Sequence, residues 1–92
     1  MSKYADNLAE AIIDIDNNDK AKAERLIIKA TGETEIRFSW WTQGGTHFQH
    51  APLDMSEDNW LCLFEAAFEN KVFSDEFIKG LKKMIQKYNN HF

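Results

Sequence analysis

Glu35-Ile36-Arg37-Phe38-Ser39-Trp40-Trp41-Thr42-Gln43-Gly44-Gly45-Thr46-His47-Phe48-Gln49-His50 is the stretch on which the reading of this 92-residue sequence turns. Two β-prone runs joined at Gly44-Gly45 read as a hairpin with strands near 35–42 and 46–50. With the two glycines as the loop, Thr42 faces His47, Trp41 faces Phe48, Trp40 faces Gln49 and Ser39 faces His50. Alternation then divides the hairpin. Ile36, Phe38 and Trp40 form an inner face continued by Ala51 and Leu53, while Arg37, Ser39, Trp41, Gln43, Thr46, Phe48 and His50 form an outer one. Adjacent Trp40 and Trp41 therefore cannot both enter one core layer. Pro52, which has no amide hydrogen for a ladder, ends the second strand and suits a sheet edge.

Upstream, Tyr4, Leu8, Ala11, Ile12 and Ile15 recur at helical spacing with Asp6, Glu10, Asp14 and Asp16 on the other side. This predicts a first helix starting at Tyr4, capped by Ser2 and broken at Asn17-Asn18-Asp19. Asp19 can cap a second helix through Ala21-Lys22-Ala23-Glu24-Arg25 to about Ala30, with Gly32 suited to a left-handed position beyond it. Leu26-Ile27-Ile28 also fits a buried strand turning through Thr31-Gly32-Glu33-Thr34, and the two readings stay open.

Downstream, Ser56 followed by Glu57 and Asp58 starts a third helix running to about Asn70, with Met55 placed to staple onto Trp60. Its apolar face is Trp60, Leu61, Leu63, Phe64, Ala67 and Phe68. Ser74, Asp75 and Glu76 open a fourth helix whose stripe is Phe77, Ile78, Leu81, Met84, Ile85 and Tyr88, ending near Asn89-Asn90. The expected fold is α+β in one domain, 1–92: two N-terminal helices, a β-hairpin, and two C-terminal helices packed on the hairpin. An isolated hairpin is marginal in water, so it must lie on helices or gain strands from a second copy.

Fifteen acids against eleven Lys and Arg give a formal charge of −4, which disfavours nucleic acid and anionic membrane as main partners. Charge is segregated: seven acids and one lysine lie between Asp54 and Glu76, whereas Lys79, Lys82, Lys83 and Lys87 follow without an acid. No apolar run is long enough for a membrane span, and the first residues carry charge where a signal peptide is apolar. The single cysteine needs no oxidising compartment, so the expected setting is cytoplasmic.

His47, His50, His91 and Cys62 are the soft metal ligands, but His47 and His50 fall on opposite faces of a strand, so no metal is expected. Cys62 lies between Leu61 and Leu63 and reads as a small buried hydrophobe. With neither a nucleophile beside a base nor a cofactor fingerprint, the chain reads as a non-enzyme without a cofactor. Its expected binding surface is Arg37, Trp41, Phe48 and His50, assisted by an acidic stripe of Asp6, Glu10 and Asp14. A protein partner follows, with homodimerisation through the same hairpin as a variant. In overall make-up, a compact acidic domain without an active site, the chain resembles the small inhibitors that phages and mobile elements use against bacterial defence, such as anti-CRISPR proteins. The rival reading is a small-ligand or nucleotide binder, with Trp41 and Phe48 stacking a base and Arg37 or the late lysines taking phosphate.

Overall fold

A computed structural model describes residues 4–89 and replaces the expected N-terminal helices with strands. The elements are β1 (Ala5–Asp14), β2 (Lys20–Ile28), β3 (Thr34–Thr42), β4 (His47–Gln49), α1 (Glu57–Glu69) and α2 (Asp75–Asn89). The four strands form one antiparallel sheet in the order β1-β2-β3-β4, so the hairpin gains its extra strands from the same chain. The proposed Ser2 cap lies outside the described residues.

The helical reading of the first thirty residues fails for a definite reason. Positions four apart share a face on a strand as well as on a helix, so Leu8-Ile12 spacing does not separate the two. Period two does. Ala9, Ala11, Ile13 and Ile15 pack toward the core, and Lys20-Ala21-Lys22-Ala23 alternates charged with fully buried residues. Asn17-Asn18 is the β1–β2 turn: both residues have positive φ, 57° and 67°, a conformation that Asn tolerates better than most side chains. The second hairpin turns through Gly32 at φ 74°, closed by the Ile28 amide donating to the Glu33 carbonyl at 2.8 Å. This is the strand alternative for Leu26-Ile27-Ile28.

The hairpin register agrees with the sequence: Trp40 pairs with Gln49, Trp41 with Phe48 and Thr42 with His47. Gln43 and Thr46 join the glycines in a four-residue loop instead of extending the ladder. Gln43, Gly44 and Gly45 all take positive φ, and the Thr46 hydroxyl donates to the Gln43 carbonyl at 2.8 Å.

One face of the sheet carries α1, which lies chiefly on β1 and β2. Alanines at 11, 21 and 23 remove side-chain bulk there, so that Leu63 and Ala67 of α1 come to rest fully buried on the sheet. On β3, Phe38 stacks on Phe64 at 5.8 Å and meets Trp60 edge-on at 5.4 Å. Both helix starts behave as read: the Asn59 amide donates to Ser56 Oγ at 3.2 Å, and the Phe77 amide to Ser74 Oγ at 3.1 Å. The expected packing of both helices on the hairpin is corrected. α2 buries none of its residues fully.

The α1–α2 connection is fixed by backbone geometry. Lys71 takes φ 62°, and the Val72 amide reaches back to the Ala67 carbonyl at 3.0 Å, a helix-ending bond that buries Val72 completely. Arg25 of β2 also donates to the Val72 carbonyl at 3.2 Å. Because a lysine fills the left-handed position where glycine is free of strain, Lys71→Gly is expected to stabilise the protein by about 1 kcal/mol. A melting temperature unchanged or lowered in Lys71→Gly would contradict that account.

Candidate functional surface

Among the described residues no helix lies on the second face of the sheet, and β-pairing assigns its occupants. Across the strands run Glu10 with Glu24 and Arg37, then Ile12 with Lys22 and Ser39, then Asp14 with Lys20, Trp41 and Phe48. The face has a polar half and an aromatic half, and beyond Glu24 it ends in a small buried apolar cluster of Ala5, Leu26 and Ile28.

The polar half is organised by Glu24, which is buried although charged. Glu24 Oε1 accepts from Arg37 Nη2 at 2.9 Å and Nε at 3.3 Å, while Oε2 accepts from Asn7 Nδ2 at 2.9 Å. Asn7 also donates to Glu10 at 3.0 Å, so one network joins β1, β2 and β3. A buried carboxylate survives because both its oxygens are bonded and one partner is cationic. Arg37 is thus committed to an internal pair, with its guanidinium carbon 5.8 Å from the Phe48 ring centre.

The aromatic half is a run of edge-to-face contacts. Trp41 meets Phe48 at 5.3 Å and Phe48 meets His50 at 4.9 Å. The Trp41 indole donates to buried Ser39 Oγ at 2.8 Å, which fixes the ring, and Lys22 Nζ sits over it at 3.7 Å. Trp40, on the other face, donates to Asp19 at 3.0 Å and lines a cleft of about 670 Å³ with Leu53 and Met55. The two tryptophans thus serve opposite faces.

The acidic stripe is not a helix face. Glu10 and Asp14 stand on the same sheet face as Trp41 and Phe48, Asp14 paired with Lys20. Asp6 is turned to the opposite face by a bulge between Asn7 and Ala9, and pairs with Lys29 at 3.5 Å. Ser39 stands on the outer face as the alternation predicts, whereas Lys22 and Glu24 join the surface without having been expected there; the alternation that begins Lys20-Ala21-Lys22-Ala23 is the signal that places them. Cys62 is exposed, contrary to the buried reading. Among the described residues no three His, Cys, Asp or Glu side chains gather to hold a metal ion, and no helix is long and apolar enough to cross a membrane. In comparisons with known proteins, no protein-family model matches the sequence, and no curated protein or solved structure matches it significantly.

Proposed function

We propose that this protein is a non-catalytic binding module, of the inhibitor or adaptor kind, that holds a protein partner against the open face of its sheet. The observation that carries the reading is an aromatic cluster, Trp41, Phe48 and His50, oriented by internal contacts on a face that neither α1 nor α2 covers. Rigid aromatics beside cationic groups supply contact area at small entropic cost, which is the usual composition of an interface hot spot. Glu10, and Asp14 with Lys20, add a charged border. A cytoplasmic setting and the anti-defence inhibitors of phages and mobile elements suit a small acidic module of this kind. The nucleotide alternative is weakened by Lys22, which occupies a face of the Trp41 ring where a base would stack.

The test is partner capture with the full chain and with Trp41→Ala plus Phe48→Ala. Because both residues lie opposite α1, the double variant is expected to keep its fold while its affinity for the captured partner falls about 30-fold or more. Retention of partner by a folded double variant would refute this surface. Quenching of tryptophan fluorescence by nucleotides, lost in the same variant, would instead favour the ligand reading.

A further inference from the structure

The stripe of α2 is apolar, continuous and open. Ile78 packs on the core and Phe77 touches the Phe73 ring at 5.0 Å, but Met84 is 50%, Ile85 62% and Tyr88 55% exposed. The C-terminal part of a strongly amphipathic helix therefore stands in water along its apolar side. Isolated exposed apolar residues are ordinary on a surface, whereas a contiguous stripe of this kind marks an interaction site. We propose that α2 is the seam along which two copies of this chain associate.

Three observations favour a second copy as the occupant. First, Ile78, Leu81, Ile85 and Tyr88 are spaced three, four and three residues apart, the pattern that interlocks with another helix. Second, at about 100° per residue Lys79, Lys82, Lys83 and Lys87 centre on the side opposite the stripe, so two copies can meet without opposing their lysines across the seam. Against an anionic bilayer as the occupant stands the chain's net charge of −4. Third, Phe77, Met84, Ile85 and Tyr88, 42% to 62% exposed, with the partly exposed edges of Ile78 and Leu81, offer about 500 Å² per copy, and the total of about 1,000 Å² reaches the lower bound for a specific interface. This seam is distinct from the sheet face, so either surface can fail without the other.

Sedimentation equilibrium of the full chain, from micromolar to several hundred micromolar, tests the proposal. Wild type is expected to reach twice the 10.7 kDa protomer mass. Ile85→Glu, and independently Met84→Glu, should raise the dissociation constant about 100-fold or more while leaving the circular dichroism spectrum unchanged, because both residues are at least half exposed in the protomer. Trp41→Ala plus Phe48→Ala should dimerise like wild type. A wild type that stays monomeric throughout, dimers that survive both glutamates, or dimers lost only in the sheet-face variant would each overturn the seam. So would a monomeric wild type whose binding to phosphatidylserine vesicles is abolished by Ile85→Glu.

Discussion

Leu63→Ala is expected to cost about 3 to 5 kcal/mol, the upper part of the range for buried leucine truncations. Leu63 is completely excluded from solvent in α1, in one cluster with Ala11, Ala21 and Ala23 of the sheet and Ala67 of its own helix. Truncation costs most where neighbours cannot move into the space. Alanines have no rotamers with which to fill it. The nearby rings are also constrained, since Phe64 is in edge contact with Phe73 at 5.4 Å and stacked on Phe38. Set against the roughly 5 to 15 kcal/mol typical of small domains, the loss is a large share of the total stability. Urea titration should show a large fall in midpoint with little change in slope. A loss below about 1.5 kcal/mol would mean that α1 does not rest on the alanine floor as described.

Arg37→Ala is expected to cost about 2 to 3 kcal/mol, more than its half-exposed position suggests. The loss arises on the other partner. Arg37 is 39% exposed along its side chain and Glu24 only 7%, so removing the guanidinium leaves the buried carboxylate with Asn7 as its remaining bonded neighbour. The reverse change differs. Glu24→Leu leaves Arg37 able to turn into water and puts an apolar group into a buried place beside Leu26, so it should cost under about 1 kcal/mol. Chemical denaturation of both single variants and the double variant reads the asymmetry. Equal losses in the two single variants would show that the pair behaves as an ordinary surface ion pair.

The sequence carried the hairpin, its register, both serine-capped helices and the separation of Trp40 from Trp41. Each rests on a local rule with one outcome: a glycine loop sets pairing, pairing sets faces, and a serine before two acids starts a helix. The N-terminal third obeys two rules at once. Alanine, lysine and glutamate favour helices when packing does not intervene, but here the alanines let α1 approach the sheet closely. Tertiary context overrode propensity. Asn17-Asn18 interrupts a helix in one reading and turns a hairpin in the other, and Lys-Ala-Lys-Ala was the pattern able to decide. The surface was legible to the extent that the hairpin was. Trp41, Phe48 and His50 adjoin as expected, but Glu24 and Lys22 come from a strand whose residues favour a helix by local propensity. The bulge that separates Asp6 from Glu10 had no sequence signal of its own.

That bulge bears on how the protein behaves when crowded. A four-stranded sheet has two free margins, each a row of unspent amide and carbonyl groups on which another chain can add a strand. On one side the outer strand β4 is only three residues long and is followed closely by Pro52. At β1 it is ten residues long and would be a template for fibrils were it straight, but the bulge between Asn7 and Ala9 breaks its repeat. Deleting Leu8 should straighten that margin and raise thioflavin-positive aggregation, making the irregular residue a safeguard against polymerisation.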